Sequence, residues 1–139
     1  MAVAHLSRRY HFSASHRLHV DAFSAERNAA IYGKCNNPFG HGHNYTVQVT
    51  FSGAVDAATG MVTNLADLDG FAEQNLLAVY DHKNLNTLAA FRDVVPSTEN
   101  LALEVWRIFV AYPHATLRRI RIEETNNNAF DYYGEDASA

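Results

Sequence analysis

The sequence predicts an α+β fold: a four-stranded antiparallel sheet with two helices on one face, in the order β-β-α-α-β-β. Three observations carry this. Residues 9–18 and 41–53 alternate apolar and polar side chains with the period of a half-buried strand. Two later stretches space their apolar residues as helices do. Those stretches lie side by side in the chain, with strand-like segments before and after them, rather than alternating one for one with strands.

In the first strand Tyr10, Phe12, Ala14, His16 and Leu18 share one parity, and Arg9, His11, Ser13, Ser15 and Arg17 share the other. The apolar set faces the core, so His16 points inward and His11 points to solvent. Residues 20–39 are rich in Ala, Asn and Gly and read as a loop, with a helical turn near 22–29. The second strand puts His41, His43, Tyr45, Val47, Val49 and Phe51 on its inner face. Gly42, Asn44, Thr46, Gln48, Thr50 and Ser52 lie outside.

Met61 and Val62 form a short extended piece. A helix over 65–80 carries the stripe Leu65, Leu68, Phe71, Ala72, Leu76 and Val79, capped by Asn64 or Asp67. Gly70 weakens it by about 1 kcal/mol relative to Ala. The second helix opens in 96–100, with Ser97 as N-cap and Glu99 beside the positive end of the dipole. Leu101, Val105, Ile108, Phe109 and Tyr112 supply its buried face, and Pro113 stops it. A third strand spans 116–124 and a fourth 129–134.

The 139 residues suffice for one domain, 1–139, and are too few for two. Hydrophobic residues make up 47% and the net charge is −4. A basic footprint is missing, which argues against nucleic acid as the main partner. No apolar run reaches membrane-spanning length, and the first residues lack the apolar segment of a secretory signal. One cysteine cannot close an intrachain disulfide, so a reducing, cytoplasmic setting is expected.

The chemistry concentrates in Gly33-Lys34-Cys35-Asn36-Asn37-Pro38-Phe39-Gly40-His41-Gly42-His43-Asn44-Tyr45. Side chains at i and i+2 of a strand share a face, so His41 and His43 can grip one metal ion. His16, inward by parity on a strand expected to pair with theirs, fits as the third ligand; the other reading is that these histidines are ordinary polar residues at a strand end. Three protein ligands and one open position describe catalytic zinc. A cupin-type site needs a glutamate soon after the pair, and residues 44–52 contain none. An amidohydrolase barrel needs about 250 residues. His5, His11, His19 and His114 read as surface histidines.

Cys35 has three readings: a fourth zinc ligand, an inert thiol, or a thiolate activated by Lys34 and a nearby metal. Asp81-His82 reads either as a solvated helix end or as a carboxylate orienting an imidazole for proton transfer. Glu124 shares parity with Ile120 and Ile122 and points inward. It suits a ligand edge with adjacent N–H donors, or an arginine elsewhere in the chain.

Together these pieces resemble the 6-pyruvoyl-tetrahydropterin synthase family, from Phe12-Ser13-Ala14-Ser15-His16-Arg17-Leu18 to Glu124-Thr125. The matching motifs between are Cys35 to Tyr45, Asn64-Leu65-Ala66-Asp67-Leu68, Asp81-His82-Lys83-Asn84-Leu85-Asn86 and Pro96-Ser97-Thr98-Glu99-Asn100. The resemblance implies a tunnelling fold and a homohexamer, a dimer of trimers with sites between subunits. It implies zinc on His16, His41 and His43, Cys35 as base, and Asp81 with His82 as proton relay. Glu124 would anchor the pterin, and Ser97 and Thr98 would border its ring.

The implied activity is a zinc-dependent lyase that releases triphosphate from 7,8-dihydroneopterin triphosphate to give 6-pyruvoyl-tetrahydropterin. The spacing of Cys35 from His41 resembles the biopterin-pathway branch. 6-Carboxytetrahydropterin synthase of the queuosine pathway is the related alternative, and a non-catalytic, zinc-stabilised pterin-binding module is the alternative of another class.

Overall fold

In chain order the elements are β1 (Val3–His16), α1 (Ala25–Tyr32), β2 (His41–Ala54), α2 (Leu65–Ala72), α3 (Ala78–Tyr80), β3 (Lys83–Asn84), α4 (Thr98–Phe109), β4 (Thr116–Glu123) and β5 (Ala129–Tyr132). They come from a computed structural model, which describes residues 1–137. β1 and β2 pair antiparallel along their full length, from Val3 opposite Ala54 to His16 opposite His41. β4 pairs with the other edge of β2, and β5 with β4, both antiparallel.

The sheet has five strands in the order β3-β1-β2-β4-β5, not the four expected. The extra strand, β3, runs parallel to β1 at Ala14 and Ser15. Two residues are too few to show alternation, so no periodicity betrays it. It is held by the bonds next to it: the His82 amide donates to the Ser13 carbonyl at 2.6 Å, and the Ser13 amide donates to Asp81 at 3.0 Å.

β1 also starts earlier than expected, at Val3. Arg8 hides this start, because it puts a charge at an inner-face position. The charge is satisfied across the helix interface. Arg8 forms two bonds to Asp69 of α2, at 3.0 and 2.8 Å, and the Tyr10 hydroxyl donates to the same carboxylate at 2.8 Å.

The loop after β1 is more ordered than its composition suggested. Ser24 caps α1 by accepting from the Arg27 amide. Asn28, fully buried, ties the helix back to both the amide and the carbonyl of Val20.

Asn64, not Asp67, caps α2. The helix then widens into a π-turn over Glu73–Leu77 before α3. More residues per turn keep an i+4 series on one face. Leu68, Ala72, Leu76 and Tyr80 are accordingly buried, whereas the expected Val79 is 42% exposed and Leu65 37%. Ser97 caps α4 as predicted, and Leu101, Val105, Ile108, Phe109 and Tyr112 are buried.

Both helical segments cover the same face of the sheet. Their side chains join Tyr10, Phe12, Val47, Val49, Phe51, Ile120 and Ile122 in one core. β5 ends at Tyr132, short of the predicted 134. Gly134 follows with a φ of 76°, and a Cβ there would lie 2.5 Å from the Trp106 ring of α4. Among the described residues no helix is long and apolar enough to cross a membrane.

Candidate metal centre

The β1–β2 register sets His16 directly opposite His41, at the end of the ladder where the core gives way to loops. His43 follows on the same face. The three rings meet edge to face, with centroids 4.5 Å (His16–His41), 5.0 Å (His16–His43) and 4.8 Å (His41–His43) apart. One ring nitrogen from each lies within 4.8 Å of the other two.

His16 is 2% exposed. Its Nδ1 lies 2.7 Å from the Pro96 carbonyl, which can only accept, so Nδ1 carries the proton. That leaves Nε2 with its lone pair, 2.9 Å from His41 Nε2. A single proton can bridge this pair. His41 Nδ1 and His43 Nε2 are nevertheless buried without any hydrogen-bond partner. No assignment of protons satisfies all three rings.

Burial holds His16 and His41 below the ordinary histidine pKa, and the charges of neighbouring imidazoles push the same way. Clustered neutral imidazoles with unpaired nitrogens fit a divalent ion, and an all-nitrogen trio is a donor set that zinc accepts. The Pro96 carbonyl orients His16 as partners beyond the ligand shell do for metal-bound histidines.

Cys35 is not in this cluster. It is half-buried on a 3₁₀ turn, Gly33–Asn36, just ahead of β2. The turn is tied to the end of β1. The Leu18 amide donates to the Cys35 carbonyl at 2.8 Å, Arg17 Nε to the Asn36 carbonyl at 3.1 Å, and Asn36 Nδ2 to the Leu18 carbonyl at 2.8 Å. Gly40 lets the loop pass this close. Its φ is 74°, and a Cβ there would sit 3.1 Å from the His16 carbonyl oxygen.

Glu124 follows directly after β4. Among the described residues it forms no salt bridge, so the arginine alternative finds no partner. Its Oε2 accepts instead from the hydroxyl of Thr98, at the start of α4 and 2% exposed. Ser97 spends its hydroxyl on the Asn100 amide at 3.2 Å as the helix cap.

Asp81 and His82 do touch, with His82 Nδ1 3.0 Å from the Asp81 carboxylate. The Ser13 amide, ahead of His82, holds Asp81 below the usual carboxylate range. His82 is 82% exposed, in the left-handed region at φ 59°. It shares a hollow with Asp81 and with residues 11–13 of β1 and 44–46 of β2. Within one chain the pair therefore sits at the β1 edge, outside the histidine cluster.

Of the histidines expected at the surface, His5, His11 and His114 are exposed, and His19 is half-buried against Asn36. Two participants had no signal of their own. The Pro96 carbonyl is a backbone group. Tyr45 lies on the inner parity but reads as ordinary core. It is 1% exposed, and its hydroxyl lies 3.4 Å from His16 Nδ1. Burial, reinforced by the charge of Glu124, pushes its phenol well up, so it stays a protonated donor.

The chain is similar to known proteins over nearly its whole length. The human 6-pyruvoyl tetrahydrobiopterin synthase is 48% identical over 134 residues, covering 95% of this chain and 92% of that protein. A solved structure of the Caenorhabditis elegans 6-pyruvoyl tetrahydropterin synthase superposes with a TM-score of 0.92 at 37% identity, covering 97% of this chain and 98% of that one. A putative 6-carboxy-5,6,7,8-tetrahydropterin synthase of Archaeoglobus fulgidus is 31% identical over 106 residues, 76% of this chain and 84% of that protein. The sequence profile of the 6-pyruvoyl tetrahydropterin synthases matches residues 5–135, and the chain belongs to that family.

Proposed function

We propose that this chain is a zinc-dependent lyase that converts 7,8-dihydroneopterin triphosphate to 6-pyruvoyl-tetrahydropterin with release of triphosphate. The observation that carries the reading is the cluster of His16, His41 and His43, in which His41 and His43 each bury a ring nitrogen without a partner, together with the carboxylate of Glu124. The names of the human and nematode relatives support the same chemistry.

His16, His41 and His43 hold the metal. Zinc supplies Lewis acidity toward the hydroxyl oxygens of a substrate side chain. Glu124 receives the aminopyrimidine edge of the pterin, with Thr98 steadying one carboxylate oxygen and leaving the other for substrate N–H donors. Ser97 and Thr98 border the ring. Cys35 removes a proton from the substrate side chain, and the Asp81–His82 pair returns it. Proton shifts alone balance the reaction, because the pterin ring gains the electrons that the side chain loses. No external reductant enters.

The relay pair lies outside the histidine cluster, so it serves a site completed by another copy of the chain. A homohexamer, a dimer of trimers with sites between subunits, meets that need. The protein is assigned to the cytoplasm on its single cysteine.

Incubation with 7,8-dihydroneopterin triphosphate and mass spectrometry of the products tests the reading. Triphosphate with 6-pyruvoyl-tetrahydropterin is expected. 6-Carboxytetrahydropterin would move the chain to the second branch, which the archaeal relative favours. Binding without turnover would leave the pterin-binding module, a reading already weakened by the absence of Cys35 from the cluster.

A further inference from the structure

We propose that His19 is a positioning residue that fixes Cys35 relative to the strand of His16, acting through the side chain of Asn36. The inference rests on the base reading of Cys35 above. A base works only where it is held, and a misplacement of about 1 Å can cost on the order of 10²-fold in rate. Cys35 stands on a single 3₁₀ turn, Gly33–Asn36. Such a short piece holds itself poorly. Its ties run to residues 17–19, the segment that leaves β1 directly after His16.

Asn36 is the centre of that clasp. Its Nδ2 donates to the Leu18 carbonyl at 2.8 Å and lies 2.9 Å from His19 Nδ1. A carbonyl can only accept, so Leu18 fixes which end of the amide is the nitrogen. The second amide hydrogen then goes to His19, whose Nδ1 is the bare nitrogen of the ring. The imidazole proton belongs on Nε2, 3.3 Å from the Asp21 carboxylate. The backbone on both sides of His19 is held as well. The Leu18 amide donates to the Cys35 carbonyl at 2.8 Å, and Val20 bonds the buried Asn28 side chain through its amide and its carbonyl, at 2.9 and 3.0 Å. His19 therefore offers Asn36 a lone pair in a set place. Without it the amide keeps one of its two bonds, and the turn of Cys35 is tied less firmly to the strand of His16.

The test combines turnover of 7,8-dihydroneopterin triphosphate with alkylation by iodoacetamide, which reads Cys35 alone because the chain has one cysteine. His19→Phe keeps a ring and removes the nitrogen. It should lower kcat by about 10-fold, with KM and bound zinc unchanged. His19→Gln, which offers Asn36 an amide oxygen, should restore the rate. Asn36→Leu should lose more, because the Leu18 bond goes too. Adding His19→Phe to it should cost nothing further, since His19 acts through Asn36. Alkylation should be at least about threefold faster in His19→Phe, as a looser turn opens more often, and should return to normal in His19→Gln. His19→Leu replaces His19→Phe if that variant does not fold. Wild-type kcat in His19→Phe, a change confined to KM, no rescue by glutamine, or losses that multiply in the double variant each overturn the positioning role. A wild type that does not turn over the substrate overturns the base reading instead. The alkylation rates then decide the clasp, and equal rates in wild type and His19→Phe overturn it.

Discussion

His11 and His43 lie on facing strands of one ladder, a few residues apart, yet they have opposite fates. His11 faces out, and its Nδ1 sits 3.1 Å from the Thr46 hydroxyl, in reach of water. His43 faces in, and its Nε2 is buried with nothing to bond. The outer face around His11 is self-sufficient, as in the 2.6 Å bond from Ser13 to Asn44. Even Arg8, a charge at an inner position, is matched by Asp69. Among the described residues, only His41 and His43 keep a buried side-chain nitrogen without a partner. Unpaired buried polar groups are costly, so this contrast separates surface histidines from ligands.

The largest effect expected is on metal content. His43→Ala should leave purified protein without bound zinc and without triphosphate release, whereas His11→Ala should keep both. Elemental analysis of the two variants makes the comparison. Zinc lost equally from both would erase the distinction between the faces.

Cys35→Ala comes next. Zinc and pterin binding should survive, and turnover should fall by about 10² to 10⁴, the contribution of a positioned base. Triphosphate release at the wild-type rate would remove Cys35 from that role, and loss of zinc would return it to the ligand set.

The same two faces should differ in stability. Val47→Ala empties a fully buried inner position and should cost about 2–3 kcal/mol in denaturant unfolding, with zinc retained. Thr46→Ala, its outer neighbour, should stay within about 0.5 kcal/mol. Equal costs would mean that the core does not lie where the parity puts it.

The smallest effect is on the acid limb of stability. The two Arg8 bonds hold Asp69 below the usual carboxylate range, and Tyr10 adds to this against a modest burial effect. A depressed folded pKa gives stability that is present above the unfolded value of about 4. It is lost as pH falls through the folded value. Asp69→Asn should flatten melting temperature against pH in that window. The pair is well exposed, so the change should be small. An unaltered acid limb would show that Arg8 gains nothing from Asp69.

The inner positions of the trio were legible because the strand period is two, and parity assigns a face without further information. Capping by Ser97 and the burial of α4 were legible for a similar reason, since both depend on neighbours within a turn or two. Val79 and Tyr80 show the limit. The π-turn that swaps them is a response to packing, and no local preference announces it. β3 escaped notice because its two residues depend on bonds to Ser13, far away in the chain.

By itself, then, the order of residues determined which histidines point inward and which motifs the chain carries, because both are local properties of spacing and type. Tertiary structure decided what those groups meet. It set His16 across from His41, left Cys35 outside the cluster, brought the Thr98 hydroxyl to Glu124, and held Asp81 and His82 at the β1 edge against Ser13. Those outcomes follow from pairing between segments distant in sequence. Their register and close approaches are selected by the packing of the whole sheet against its helices.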